Sequence, residues 1–216
     1  MLTIAEELFL LMLDDTTGLP HGSINHNVPY ALAGGTLADL LFERAVEMDA
    51  KRRLMITKTE VPQSALLAKA HKLLQDENKL YKLERWVDLL AARKIARAVP
   101  ESLVGKGFLE EERKHYLWAQ PFVPYPDAGA SAKVWIKRDL RDGVLANAAI
   151  KPQRLALLAL VRGARMLSLV FTKDERAAAS RQMDSLIRGD TGAAGEIIPA
   201  LESAVSAVVA AAVLGG

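Results

Sequence analysis

The sequence predicts a mainly α fold: a single helical domain with a buried apolar central helix and two short β-hairpins. Three observations indicate this class. Apolar residues recur at helical spacing along most of the chain, strand-like patterns are confined to two short segments, and half of the 216 residues are hydrophobic. A chain of this length and composition can bury a sizeable core, so we treat 1–216 as one domain.

The first helix is predicted directly after the start of the chain. Thr3 is a suitable N-cap and Glu6 follows three residues later, which is the spacing of a capping box. Leu8 and Leu11 fall on one face of this helix, and the turn-forming residues 14–18 end it.

The second helix, Tyr30 to Arg44, is built from small residues. It contains Gly34 and Gly35 among several alanines. Each glycine inside a helix costs about 1 kcal/mol relative to alanine, so another contribution must offset the two. We expect close packing against a neighbouring helix.

Two hairpins and six further helical segments follow. The first hairpin is predicted within 45–59 around a basic turn at Lys51–Arg53, and the second within 108–126, where prolines interrupt the strands. The predicted helical segments are about 63–75, 79–99 (one or two helices, with Pro100 breaking or restarting the helix), 131–147, 152–171, 173–188 and 194–214. The apolar runs 154–171 and 204–214 do not match a spanning helix, so we predict buried helices of a soluble protein.

No motif predicts an enzyme, a metal site or a cofactor. The sequence lacks a Gly-rich phosphate loop, a nucleophile elbow and a zinc-protease motif, and it has no cysteine. His21 and His26 share a loop without a third ligand, so we interpret that loop as solvated. His71 lies between Lys69 and Lys72 and is predicted to be at the surface.

Basic residues form three clusters that are candidate anion sites. The net charge is only +2, so an anionic partner must meet a local patch. The alternative for each cluster is a solvated face, but guanidinium groups match phosphate geometry well. The clusters are Lys51–Arg53; Arg93, Lys94 and Arg97, which we place on one face of a helix; and Lys133, Lys137, Arg138 and Arg141.

Aromatic residues mark the predicted second hairpin. Trp118, Phe122 and Tyr125 lie on its Pro-rich arm. Such side chains are at home at a bilayer interface, and they also suit packing against the body or a second subunit. Both a membrane contact and a homo-oligomer through residues 115–126 therefore stay open.

Six segments in order resemble the Golgi phosphoprotein 3 family of peripheral membrane proteins. The segments are LTIAEELFLLMLDDTTG, LAGGTLADLLFERAVEMD, ERWVDLL, LVGKGFL, PQRLALLAL and AVVAAAV. The Ala-rich, Trp-poor composition looks like that of a bacterial relative. The resemblance implies a mostly helical fold, a basic pocket for phosphatidylinositol 4-phosphate, contacts with vesicle coats and with cytosolic tails of membrane proteins, and self-association through a hairpin.

The resemblance also implies site residues. Arg93 matches the first of two family arginines that precede the LVGKG segment, while the second position is Ala96 with Arg97 beside it. We therefore assign headgroup binding to Arg93 and Arg97. A third family arginine corresponds to Ala33, and the loop HGSINHNVPY lacks the family's tryptophan.

The functional hypothesis is a peripheral membrane adaptor in the cytoplasm that binds phosphoinositide or other anionic phospholipid through a basic patch. Two alternatives remain. Residues 84–118 locally resemble a winged helix-turn-helix, which suggests nucleic-acid binding, although Leu89, Leu90 and Ala91 and the low net charge disfavour it. The other alternative is a non-catalytic oligomeric scaffold.

Overall fold

The computed structural model describes residues 1–57, 61–111, 122–124, 129–146, 148–189 and 192–214, with only the backbone for 111 and 122–124. The chain is mainly α, as predicted. The helices are α1 Ile4–Met12, α2 Val28–Phe42, α3 Ala65–Glu77, α4 Leu83–Ala92, α5 Ala98–Gly105, α6 Gly129–Leu145, α7 Pro152–Gly163, α8 Arg176–Gly189 and α9 Ala193–Leu214; the strands are β1 Val46–Met48, β2 Leu54–Ile56, β3 Leu109–Glu111 and β4 Phe122–Pro124.

The N-terminus of α1 is capped both locally and by α2. The predicted capping box is present, because the Glu6 amide donates to Thr3 Oγ1 and the Thr3 amide donates to Glu6 Oε2. The two remaining amides of the first turn, from Ile4 and Ala5, donate to the two carboxylate oxygens of Asp39 at 2.8 and 3.2 Å. A buried side chain of α2 therefore satisfies donors that a helix leaves unpaired.

The two carboxylates of the first turn of α1 are also used inside the molecule. Glu6 is fully buried and accepts hydrogen bonds from Ser102 Oγ (2.7 Å) and from Lys106 Nζ (2.7 and 2.8 Å). Glu7 pairs with Arg154 of α7. These two carboxylates therefore join α1 to α5 and α7.

Close packing explains the glycines of α2. A Cβ on Gly34 would lie 2.5 Å from Val205 Cγ2 and 2.9 Å from Leu160 Cδ2, and one on Gly35 would lie 3.0 Å from Ala5 Cα. The absence of side chains lets α1, α7 and α9 approach α2 closely. The predicted reason for the two glycines is confirmed.

The central apolar helix is α7, which packs beside α9. Eight of its residues, including the run Leu155–Val161, are buried. Its last turn is tied to two neighbours through Arg162, which bonds Glu202 of α9 and Asp184 of α8 (2.7 Å). The ion pairs of Arg162 thus fasten three helices around the core.

Among the described residues, one helix, α9, is long and apolar enough to cross a membrane by length and composition. It packs on α7, α4 and α2, and Leu201, Val205 and Val209 are buried in the common core. Ile198, Ala200 and Ala204 are buried there as well, whereas 211–214 are exposed. The prediction of a buried helix over 204–214 therefore holds only as far as Val209, because no element among the described residues covers the end.

Both hairpins are antiparallel two-stranded sheets. Val46, Glu47 and Met48 pair with Ile56, Met55 and Leu54, which puts the basic residues Lys51–Arg53 at the turn as predicted. In the second sheet, Leu109 pairs with Pro124 and Glu111 with Phe122. The second hairpin is thus present between 109 and 124.

Two local predictions are wrong. The helix predicted over 152–171 ends at Gly163, because Arg165 takes a left-handed conformation (φ 61°) and a 3-10 turn at Leu167–Leu169 follows. His71, predicted at the surface, is fully buried and faces the core side of α3 together with Leu67 and Leu74. The positions i, i+4 and i+7 share one helical face, so His71 lies on the apolar stripe despite its lysine neighbours.

Candidate functional site

The junction between α4 and α5 changes direction within five residues. Arg93 follows the last residue of α4, Lys94 is left-handed (φ 57°), and Ile95–Arg97 form a 3-10 turn that leads into α5. A left-handed conformation costs a non-glycine residue roughly 1–2 kcal/mol. The fully buried side chain of Ile95 and backbone hydrogen bonds on both sides hold the turn in place.

The junction therefore displays its cations from a turn. The prediction that Arg93, Lys94 and Arg97 share one helical face is wrong, because the left-handed residue separates the arginines onto different elements. The three side chains are nevertheless exposed and close in sequence. We name Arg93, Lys94 and Arg97 the junction cluster.

Most of the charge of the junction cluster is not used inside the molecule. Arg93 is 58% exposed and approaches Glu77 at 3.9 Å, a surface ion pair that contributes little to stability. Within the described ranges, no side-chain partner is found for Lys94 or Arg97. The cluster is therefore able to exchange water for phosphate oxygens without breaking a buried contact.

The other positions implied by the resemblance do not add to this cluster. Ala33 is fully buried in α2, and Ala96 is half-buried within the 3-10 turn. The loop that precedes α2 contributes Ile24 to the core. Arg93 and Arg97 thus lie at the surface, whereas Ala33, which occupies the position of the third family arginine, is buried in the core.

Two of the four cations in the basic cluster of α6, Lys133 and Arg141, are paired inside the molecule. Lys133 binds Asp15 at 2.7 Å, and Arg141 bonds Glu175 and the carbonyl oxygen of Val170. The Arg141 guanidinium lowers the pKa of Glu175 to about 2, because the charged carboxylate accepts its hydrogen bonds. Lys133 and Arg141 therefore hold helices and loops together.

Two residues of α6 that the sequence analysis did not single out are exposed. Val134 is 68% exposed and Trp135 is 56% exposed, whereas Ile136 and Leu140 of the same helix are buried. The signal was present in the segment SAKVWIKR, where three large apolar residues, Val134, Trp135 and Ile136, interrupt a basic stretch. Amphipathic spacing assigns Val134 and Trp135 to the side of the helix opposite Ile136 and Leu140.

A cavity of about 520 Å³ lies between the start of α6 and the loop that follows α1. Its lining combines Lys133 and Lys137 with the hydroxyls of Ser23 and Ser168 and with His21. His21 Nδ1 is 3.2 Å from Asp14 Oδ2, so the histidine pairs with an acid at the start of the same loop. In the part of the chain that the structure describes, no group of three or more acidic or histidine side chains could hold a metal ion.

The predicted aromatic contacts on the second hairpin stay predictions. Trp118 and Tyr125 lie outside the described residues, and of Phe122 the structure describes only the backbone in β4.

A known protein family matches nearly the whole chain. The model of the Golgi phosphoprotein 3 (GPP34) family matches residues 4–214. The chain belongs to this family. No curated protein matches the chain by sequence. This Golgi phosphoprotein 3-like protein thus presents the junction cluster and the exposed pair Val134 and Trp135 on a mainly α fold.

Proposed function

We propose that this Golgi phosphoprotein 3-like protein is a non-catalytic peripheral membrane adaptor that binds anionic phospholipid headgroups through the junction cluster. The observation that carries the proposal is that Arg93, Lys94 and Arg97 stand exposed within five residues while their charges are scarcely used for folding. An anionic membrane surface attracts each such cation by about 1 kcal/mol. The proposed location is the cytoplasmic face of a membrane, and the cytosolic tails of membrane proteins are proposed as further partners.

The specificity for one lipid remains the open part of this proposal. Phosphatidylinositol 4-phosphate is what the family resemblance implies, but Ala33 and Ala96 supply no charge at two of the matched positions. With two arginines and one lysine, the junction cluster can bind phosphate groups in general. We therefore propose anionic phospholipid as the ligand class, with the phosphoinositide as one member.

Co-sedimentation with vesicles tests the proposal. Neutral vesicles, vesicles with a generic anionic lipid and vesicles with phosphatidylinositol 4-phosphate are compared at low and at physiological salt. We expect binding to both anionic preparations, weakened by salt because exposed charges are screened. Arg93→Ala with Arg97→Ala should reduce the bound fraction, with a loss of about thirtyfold in affinity for two lost cations.

The matched control removes two exposed cations elsewhere. Lys69→Ala with Lys72→Ala changes the net charge equally on α3. Equal losses in both variants would show that binding follows net charge and would contradict the site. Absence of binding to every vesicle would contradict the membrane function itself, and a shift of labelled DNA or RNA at low salt would then favour the nucleic-acid alternative.

A further inference from the structure

The outer face of α6 presents two apolar side chains next to two cations. We name Val134, Trp135, Lys137 and Arg138 the α6 ridge. Val134 and Trp135 are more than half exposed, and together with Ala130, Ser131 and Arg138 they line a shallow groove. Single exposed apolar residues are ordinary, but an adjacent pair that includes tryptophan and is rimmed by polar groups marks an interaction surface.

Trp135 is held in its outward position. The guanidinium of Arg154 lies 4.7 Å from the centre of the indole ring. Arg154 is itself fixed, because it pairs with Glu7 of α1 and, at 2.8 Å, with Asp139 of α6. The ring is therefore ordered before any partner arrives, which lowers the entropy that binding must overcome.

The charges beside the apolar pair are positive and accessible. Lys137 is exposed, and no partner for its ammonium group occurs among the residues that the structure describes. Arg138 is 80% exposed and is 3.5 Å from Asp142, a contact that water and salt readily weaken. The chemistry of the ridge is thus a short apolar edge with cations at its sides.

This combination fits a lipid surface better than it fits a protein groove. Tryptophan prefers the boundary between headgroups and acyl chains, and lysine and arginine extend their stems so that the charge reaches the phosphates. The neighbouring cavity adds the hydroxyls of Ser23 and Ser168, which suit polar headgroups. A protein partner, in contrast, would need a complementary concave apolar surface with acidic rims.

We infer that the α6 ridge is a second membrane contact, in which Val134 and Trp135 enter the headgroup layer of an anionic bilayer while Lys137 and Arg138 meet its phosphates. The inference rests on the proposed membrane function but concerns a surface separate from the junction cluster. It implies that the protein engages a bilayer through an apolar contribution as well as through charge. Part of the binding should therefore persist at high salt.

The variants for the test are chosen from exposed positions. Val134→Glu places a carboxylate in the ridge, and the matched control Val61→Glu makes the same change at a valine that is 66% exposed elsewhere. Both proteins should keep the helical circular-dichroism spectrum and the melting temperature of the wild type. We expect Val134→Glu to weaken binding to anionic vesicles on the order of tenfold, and Val61→Glu to change it less than twofold.

Tryptophan fluorescence provides a second measurement. The chain has three tryptophans, and Trp86 is 1% exposed in the core. Quenching by lipids that carry a nitroxide near the headgroup therefore reports on Trp118 and Trp135. Quenching that persists in Trp118→Phe and is lost in Trp135→Phe supports the ridge, whereas the reverse pattern overturns it in favour of the second hairpin.

The two proposals fail in distinguishable ways. A wild-type protein that binds no vesicle overturns both the membrane function and the ridge. Binding that is lost with Arg93→Ala and Arg97→Ala but is unchanged by Val134→Glu overturns the ridge alone. A loss in Val134→Glu accompanied by an equal loss in Val61→Glu also overturns it, because the effect is then one of added negative charge.

Discussion

The interface of α1 with α2 and the α4–α5 junction treat polar groups in opposite ways. At the interface, Asp39 and Glu6 are buried and each accepts several hydrogen bonds from within the molecule. At the junction, Arg93 and Arg97 remain at the surface. The difference separates polar residues that maintain the fold from polar residues that are available to a partner.

The largest effect is expected from removing the shared cap of α1. Asp39→Ala leaves the buried amides of Ile4 and Ala5 without an acceptor and opens a small cavity. Unsatisfied buried donors cost about 1–3 kcal/mol each, so we expect a loss of roughly 3 kcal/mol in the free energy of unfolding. Urea denaturation measures this quantity. Thr3→Ala, which removes one local acceptor, should cost only about 1 kcal/mol, and equal losses would contradict the special role of Asp39.

Two carboxyl groups, Glu7 of α1 and Asp39 of α2, should make stability depend on pH. Burial raises the pKa of Asp39 and that of Glu7 to about 7 each. Between about pH 4 and pH 7, the folded protein then binds more protons than the unfolded chain, so stability is greatest at the acidic end and falls as pH rises. We therefore expect the free energy of unfolding, measured by urea denaturation, to decrease from pH 5 to pH 8.

A double variant provides the control for the pH dependence. Asp39→Asn with Glu7→Gln removes both titrating carboxyl groups, so its stability should change little over the same range. A wild type that gains stability between pH 5 and pH 8 would contradict the assignment. The ion pair of Glu175 has the opposite effect on the pH dependence of stability, since the pKa of this carboxyl group is lowered to about 2. Its contribution is lost only as the pH falls below the range of pH 5 to pH 8.

A smaller effect is expected from filling the contact between α2 and α9. Gly34→Ala puts a Cβ 2.5 Å from Val205, whose branched side chain has little freedom to move. We expect a loss of about 1–2 kcal/mol in spite of the better helix propensity. Gly34→Ala with Val205→Ala should recover part of it. Gly105→Ala meets no atom within 4 Å and should be neutral or slightly stabilising.

The smallest effect on folding is expected at the junction. Arg93→Ala with Arg97→Ala should change the free energy of unfolding by less than about 0.5 kcal/mol, because surface substitutions outside buried networks rarely exceed that. The melting temperature measures it. A large loss would show that the junction cluster serves the fold, and it would remove the distinction between the two regions.

Several elements were predictable because their causes are local. The Thr3–Glu6 capping box depends on residues three apart, and the first hairpin depends on a short basic turn between two apolar segments. The burial of His71 was also readable, since it stands on the stripe of Leu67 and Leu74, but the flanking lysines suggested a surface position. The capping box and the hairpin were predicted correctly from neighbouring residues, and the position of His71 was predicted wrongly from its neighbouring lysines.

The site was predicted only in part. The sequence indicated Arg93 and Arg97 as candidate residues, but it did not reveal the left-handed Lys94 that puts them on separate elements. The exposure of Trp135 likewise depends on which face of α6 the core covers and on Arg154, which comes from another helix. Such orientation follows from packing between distant segments.

The sequence by itself determined the mainly α class, most of the helices, the two hairpins and the resemblance to the Golgi phosphoprotein 3 family, because helix periodicity, capping and turn residues act over a few positions. The tertiary structure decided which charges are free. Asp39 meets α1 across 35 residues and Arg154 meets Glu7 across 147. Only the assembled core shows that these groups are engaged while Arg97 and Lys137 remain at the surface.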